Sequence, residues 1–259
     1  MNEADWLNST DPQAMLTFLR DSGKLSERKA RLFAVALCRR IWHLLTDERS
    51  RRSVAVAEQS VDAGVEICDL VSVHAEAGLA AEAAHWENAA GPIQTAANAA
   101  VPVAGESVGS DAVGYVVKAV AEAVGDQATD DRWEATWQTP EMTNQQQWVA
   151  EKAIYDKAEG EELAAQAVLL RDIIGNFPFR RPASADAWLT PPVLALAQSA
   201  CDNRLLPSGH LDPARLGELA AALEAAGCDD AELLRHLSLR GEGPHCRGCW
   251  GVDTVLGQS

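Results

Sequence analysis

Residues 243–253, with the sequence GPHCRGCWGVD, place one histidine, two cysteines and an aspartate within eleven positions. Cys246 and Cys249 have the C-x-x-C spacing that occurs in many zinc sites and in thiol–disulfide centres. His245 directly precedes Cys246 and supplies an imidazole, which also binds zinc. The stretch is therefore compatible with a metal site, a redox centre or the packed end of a helical domain.

A structural zinc site needs four ligands, so a metal site here requires residues from outside the stretch. Cys228 and His236 lie upstream, after one predicted helix and near the end of the next. The candidate metal ligands are Cys228, His236, His245 and Cys249, with Cys246 as a substitute, and their spacing is C-x7-H-x8-H-x3-C. This spacing differs from that of zinc fingers, which pair two close doublets. Zinc is the one cofactor that the sequence leaves open.

A redox role would use the thiolate of Cys246, just ahead of a predicted helix over 250–256 whose dipole favours an anion. Redox C-x-x-C pairs usually belong to a βαβ unit, however, and this chain has no strand pattern. In the third interpretation, Cys249 and Trp250 open the last helix and the cysteines pack as small apolar side chains. We prefer this packing interpretation because inert buried cysteine is common, and the metal site comes second.

The rest of the chain contains no catalytic constellation. GESVG at 105–109 formally matches the G-x-S-x-G nucleophile pattern, but Ser107 follows alanine-rich helix and Pro102 instead of a strand. The six histidines form no H-E-x-x-H motif, and no glycine-rich phosphate loop is present. We therefore predict no catalytic and no cofactor-binding residues, and a non-enzymatic protein in preference to an enzyme.

The elements that must position these residues are helices, and the predicted fold is an all-α helical bundle with a compact C-terminal helical lobe. Asp11 and Ser26 precede amphipathic stretches as N-caps, and Cys38 lies on the apolar face of the second stretch. Further helices are expected over 47–91 with a break near Val73, 110–124, 191–202, 212–226, 229–237 and 250–256.

An alanine-rich middle, about 75–109, divides the chain. Thirteen of the residues 75–104 are alanine, which favours helix but offers little side chain to bury. We predict an N-terminal helical lobe over 1–174 that contains this segment, and a C-terminal helical lobe over 175–259. The two lobes can also form one continuous domain.

The charge distribution argues against some classes of partner. The net charge of −16 disfavours nucleic acid, which needs concentrated basic side chains. The first 52 residues carry a net charge of +3, whereas residues 53–165 carry −16. We expect the basic cluster to pair with acids of the same chain on solvated faces; this cluster is Arg39, Arg40, Arg49, Arg51 and Arg52.

The sequence also bears on location. The N-terminal residues MNEADWLNST lack the basic and apolar regions of a signal peptide. No apolar run approaches the roughly 20 residues of a membrane span. We therefore expect a cytoplasmic protein without a membrane partner.

Several stretches together resemble an uncharacterised bacterial family of all-helical proteins. They span most of the chain and are WLNSTDPQAMLTFL, RKARLFAVALCRRIWHLLTDERSRR, LLRDIIGNFPFRRP, EAAGCDDAELLRHL and GPHCRGCWGVD. The resemblance implies a shared fold around a length-variable middle, and no activity, cofactor or partner. It also implies that the Cys246 position often holds another residue while Cys249 fits the pattern. This weakens a dithiol role and favours the set Cys228, His236, His245 and Cys249 among the metal options.

The leading functional hypothesis is a cytoplasmic interaction or scaffold protein with an unknown protein partner. It rests on the absence of catalytic motifs and on alanine- and tryptophan-rich helices that can present packing surfaces. The alternative is a small structural zinc-binding lobe at the C-terminus. An enzyme whose site is assembled from dispersed residues is the third hypothesis.

Overall fold

The computed structural model describes residues 1–61, 67–86, 91–136, 143–175, 188–238 and 243–258. Within these residues the protein is helical without a sheet, which confirms the predicted all-α helical bundle. None of these helices combines the length and the apolarity that crossing a bilayer requires. The helices are α1 (Glu3–Asn8), α2 (Pro12–Asp21), α3 (Glu27–Arg40), α4 (Glu48–Ser60), α5 (Ile67–Trp86), α6 (Gly91–Ala100), a 3-10 turn (Pro102–Ala104), α7 (Ser110–Thr136), α8 (Asn144–Ile174), α9 (Pro191–Asp202), α10 (Pro213–Ala225), α11 (Ala231–Leu237) and α12 (Trp250–Leu256).

Side-chain caps explain where several helices begin. The Asp11 carboxylate accepts hydrogen bonds from two backbone N–H groups of the first turn of α2, and Pro12 takes the first helical position. The hydroxyl of Ser26 caps α3 in the same way. Asp212 and Asp230 cap α10 and α11. The predicted N-caps Asp11 and Ser26 are confirmed, and the helices predicted from 212 and 229 begin at Pro213 and Ala231.

Two predicted boundaries in the middle of the chain are wrong. α4 ends at Ser60 and α5 begins at Ile67, so Val73 lies inside α5, where its side chain is buried in the core. α7 continues to Thr136, beyond the expected end at residue 124. The alanine-rich segment provides the second half of α5, then α6 and the 3-10 turn, whose small side chains pack closely in the core.

The buried apolar side chains form two clusters. The larger cluster lies in what we call the N-terminal body, α1–α8, and the smaller one in the C-terminal lobe, which comprises the described residues 188–238 and 243–258. Cys246 is the lobe residue that joins the larger cluster. The predicted domain boundary at 174/175 directly precedes residues 176–187, which lie outside the described residues. The domain division therefore stays a prediction.

α3 runs through the centre of the molecule. Every residue from 29 to 39 is buried, including Lys29, Arg31 and Arg39. Its apolar residues pack against the N-terminal body, while Leu32 and Arg39 also line the contact with the C-terminal lobe. A helix that is buried on all sides must have its charged side chains paired, and these three are.

The basic cluster is neutralised within the chain, as predicted. Its ion pairs are Arg39–Glu58, Arg40–Glu162, Arg49–Asp47, Arg51–Glu48 and Arg52–Glu76. The expected solvated setting is wrong for the first pair, because the Arg39 and Glu58 side chains are only 6% and 3% exposed. Arg204 of the C-terminal lobe lies at the same carboxylate, with its Nε 3.2 Å from Glu58 Oε1.

Candidate metal centre

Four side chains converge where the N-terminal body meets the C-terminal lobe: Asp172, His236, His245 and Cys249. One ligand atom from each lies within 4.8 Å of the others, so the group can hold a metal ion. Asp172 is in the last turn of α8 and His236 in the last turn of α11. His245 precedes α12, and Cys249 is the N-cap residue of that helix.

The local sequence explains why the last two residues face the group. Gly248 has a φ of 90°, which favours glycine, and a Cβ there would come within 2.8 Å of Leu32 Cδ1. The turn is closed by the Cys249 N–H, which donates to the carbonyl of Cys246 at 2.9 Å. The glycine thus lets the turn lie directly on α3 and presents Cys249 to the inside.

The distances within the group are short. His245 Nδ1 lies 2.6 Å from Asp172 Oδ1, and His236 Nε2 lies 3.3 Å from the same oxygen. Cys249 Sγ lies 3.1 Å from His236 Nε2 and 3.8 Å from His245 Nδ1. The four atoms therefore surround a common point instead of forming a linear chain of hydrogen bonds.

This arrangement differs from that of a Cys-His-Asp catalytic triad. In a triad the imidazole uses one ring nitrogen for the nucleophile and the other for the carboxylate. Here His245 directs the same nitrogen, Nδ1, at Asp172 and at Cys249. His236 does the same with its Nε2. Neither imidazole can relay a proton between the two groups, whereas both can bind one ion.

Burial keeps the group away from water. Cys249 is fully buried, Asp172 and His245 are 6% and 7% exposed, and the His236 side chain is 16% exposed. Burial acts to raise the pKa of the Asp172 carboxyl, but hydrogen bonds from His236 and His245 outweigh it, and the net pKa lies well below the ordinary value. Burial, followed by the charge of Asp172, raises the pKa of the Cys249 thiol well above its ordinary value. A cation bound between these two groups would favour the thiolate form of Cys249.

Cys246 contacts the Asp172 carboxylate and is not itself one of the four converging residues. Its backbone N–H donates to Asp172 Oδ2 at 3.0 Å, and its thiol lies 3.5 Å from the same oxygen. These contacts orient the carboxylate so that Oδ1 faces the two histidines. Residues that hydrogen-bond to a metal ligand, and not to the ion itself, adjust the metal affinity of many sites.

The structure brings together three of the four residues predicted as metal ligands: His236, His245 and Cys249. Cys228 is absent from the group, and Asp172 is present. Cys228 follows α10, where its N–H donates to the Leu223 carbonyl at 3.0 Å and its side chain joins the apolar cluster of the C-terminal lobe. Burial raises the pKa of its thiol.

Sequence reasoning missed Asp172, although a signal was present. It lies in the last turn of α8, where the helix dipole disfavours a negative charge. Its neighbours Leu169, Leu170, Ile173 and Ile174 are all buried apolar residues. An acid at the C-terminal end of an apolar helix needs a positive or hydrogen-bonding partner, and this requirement pointed to a site.

The other chemical interpretations find less support in the geometry. All six cysteines are free, and the pKa of the Cys246 thiol is raised by burial and by Asp172, which disfavours the reactive thiolate. Ser107 is exposed on the connection between the 3-10 turn and α7. Since no strand precedes it in the described part of the chain, the nucleophile-elbow setting is missing there.

Comparisons with known proteins add no relative: no protein-family model, curated protein or solved structure matches this chain.

Proposed function

We propose that this protein binds one zinc ion through Asp172, His236, His245 and Cys249, and that the ion is structural. The proposal rests on the convergence of four ligand atoms of three chemical types, which is the one observation that packing alone does not require. Inert buried cysteines and histidines have no need to share a centre with a buried carboxylate.

The donor set and its spacing support zinc. Two imidazole nitrogens, one sulfur and one carboxylate oxygen suit zinc, whereas calcium and magnesium prefer oxygen ligands only. Zinc–nitrogen bonds of about 2.0 Å and zinc–sulfur bonds of about 2.3 Å at tetrahedral angles separate the ligand atoms by about 3.3–3.6 Å. Three of the four close distances here, 3.1, 3.3 and 3.8 Å, lie near these values. The fourth, 2.6 Å between His245 and Asp172, is a hydrogen bond whose proton the ion would replace.

The site also has the character of a structural and not a catalytic centre. Catalytic zinc sites keep a position open for water or substrate, while structural sites use four protein ligands. Here four protein ligands are available and three of them are almost fully buried. The ion would therefore stabilise the fold instead of activating a water molecule.

Metal analysis of the purified full chain tests this proposal. After reconstitution with zinc and removal of unbound ion, the parent and C228S are expected to retain one zinc per chain, and C249S to lose it. The two variants are matched, because both remove a buried thiol from the C-terminal lobe. A parent without bound zinc contradicts the proposal, and zinc lost from C228S but kept by C249S contradicts the ligand assignment.

An interaction role is the second candidate. The observation in its favour is a row of exposed apolar side chains on α5: Val71, Leu79 and Trp86 are 44%, 56% and 80% exposed. They are eight and seven residues apart, which is about two helical turns each, so they share one face.

A second copy of the chain is the simplest partner. Light scattering over a range of concentrations, with L79D as the variant, tests it: the parent should associate and L79D should not. A monomeric parent at every concentration excludes self-association.

A further inference from the structure

We propose that the ion acts as a clamp between the two parts of the molecule, so that zinc occupancy controls the docking of the C-terminal lobe on the N-terminal body. This inference rests on the proposed function, and it assigns a regulatory consequence to the same site. Its starting point is the origin of the ligands. Asp172 belongs to α8 of the N-terminal body, whereas His236, His245 and Cys249 all belong to the C-terminal lobe.

The two parts have separate apolar cores, and ion pairs with buried partners connect them. Asp253 of the lobe is bound by Arg28 and Lys29 of α3. Glu58 of the body lies between Arg39 of the body and Arg204 of the lobe. Buried ion pairs contribute little net free energy, because the cost of desolvating the charges offsets their attraction. These ion pairs therefore contribute little to the net free energy of docking, and a bound metal ion can shift the docking equilibrium.

Some of the apolar contacts across this boundary lie next to the candidate ligands. The Trp250 ring lies against Gly175, where a Cβ would come within 2.6 Å of it, and Leu32 lies similarly against Gly248. Cys246 is the lobe residue whose side chain joins the larger apolar cluster. The metal ligands sit among these contacts, so undocking would separate Asp172 from the other three.

Thermodynamic linkage between zinc binding and docking sets how far zinc shifts the docking equilibrium. The undocked lobe keeps three ligands and loses one, so zinc binds the docked state more tightly. The docking equilibrium shifts by the ratio of the two zinc affinities, because a ligand moves an equilibrium only by its differential affinity. Perturbing even a residue behind a metal ligand weakens binding about 10–100-fold. We therefore expect zinc to shift docking at least about tenfold.

The turn at residues 205–210 reports docking, and an isolated β-bridge between His210 and Cys246 connects it to the site segment. It holds no ligand of the ion, and Gly209 packs directly on the Arg39 side chain of the body. Within this turn, the Leu205 N–H donates to the His210 carbonyl and the Gly209 N–H to the Leu205 carbonyl, at 2.8 and 2.7 Å. Exchange of these two amides with solvent requires the turn to open, which docking opposes.

Hydrogen exchange of the full chain, with zinc and after chelation, tests the clamp. In the parent, zinc should slow exchange of the Leu205 and Gly209 amides at least about tenfold. In D172A the lobe retains three ligands, so saturating zinc should protect residues 243–249 but leave the turn unchanged. D156A, which removes an exposed acid from the same helix, should behave like the parent.

Each outcome decides between the two proposals. A parent that binds zinc but exchanges the turn amides at equal rates with and without it overturns the clamp and leaves the metal site standing. Equal protection of the turn in zinc-loaded parent and D172A overturns it as well, because stabilisation of the lobe alone then explains the effect. If D172A takes up no zinc, the comparison of the parent with and without zinc still tests the clamp. A parent that binds no zinc at all removes the proposed function itself.

Discussion

Lys29 of α3 and Asp253 of α12 form a buried ion pair directly behind the candidate metal centre. The same ammonium donates to the carbonyl of Ile173, next to Asp172, at 3.0 Å, and to the carbonyl of Gly248, next to Cys249, at 2.8 Å. One side chain thus holds together two of the segments that carry the candidate ligands. It does so without being a ligand itself.

Replacing Lys29 by methionine should therefore destabilise the protein without removing any candidate ligand. Removing one partner of a buried ion pair costs about 3–5 kcal/mol of stability. Arg28 still binds Asp253 in K29M, so we expect a loss near the lower end of this range. Chemical denaturation of the chelated protein measures the free energy of unfolding. The control is K118M, an exposed lysine on α7, which should change it by less than about 0.5 kcal/mol. Equal effects of the two variants would contradict the role assigned to Lys29.

Gly160 within α8 and Gly175 at its C-cap should respond in opposite directions to replacement by alanine. Gly175 ends the helix with a φ of 65°, and a Cβ there would lie 2.6 Å from the Trp250 ring, so G175A should cost at least about 2 kcal/mol. Gly160 is exposed within the helix with open space around it, so G160A should stabilise by about 0.5–1 kcal/mol. Thermal and urea unfolding of both variants check these signs. A neutral G175A would mean that the ring does not lie against the helix end.

The six cysteines should react very unequally with a maleimide. Cys68 is exposed, whereas the other five are buried, and burial raises the pKa of the Cys38 thiol to about 12. We expect one fast-reacting thiol per native chain and six after denaturation. Mass spectrometry of the labelled peptides identifies the site, and C68S should abolish the fast phase. Fast labelling of Cys249 in the native protein would contradict its burial.

Asp126 should make stability depend on pH. Burial raises the pKa of its carboxyl, with added repulsion from Asp130 and Glu122 on the same helix. An acid whose pKa is raised in the folded state destabilises when ionised, so the penalty is present at neutral pH and disappears as the pH falls below the ordinary value of 3.8. D126N should therefore stabilise at pH 7, by less than about 1 kcal/mol because the site is partly solvated.

Urea unfolding of parent and D126N across the acidic range checks this dependence. The two curves should converge at low pH, where the parent carboxyl is also neutral. D111N is a useful contrast on the same helix. Asp111 lies in the first turn, where an acid is favourable, so its replacement should lower stability at neutral pH. A D126N variant less stable than the parent at pH 7 would contradict the raised pKa.

Local signals were sufficient to predict much of the fold. The caps at Asp11, Ser26 and Asp212 depend on residues within one turn, and the helix starts follow from them. The predicted boundary between α4 and α5 was misplaced at Val73, because an apolar valine is compatible with a helix interior and with a helix end. Its burial in the core is decided by tertiary packing, which a single stretch of sequence does not contain.

The candidate site was predictable only in part, for a similar reason. His245 and Cys249 are close in the chain, and His236 lies one helix away, so spacing brought them together. Cys228 has an equally suitable spacing, but its side chain faces the apolar cluster of the lobe. Asp172 belongs to a different part of the molecule, and only the packing of α8 on α12 makes it a neighbour.

The complete burial of α3 has a consequence for the autonomy of the two parts. A fragment that ends at residue 175 would keep its own apolar core and still leave Leu32, which lies against Gly248, facing water. Beside it, Lys29 would lose its acceptors Gly248 and Asp253. Removing the C-terminal lobe would therefore expose an apolar side chain and leave a buried cation with fewer partners on the central helix, so truncation near residue 175 should destabilise the remaining fragment.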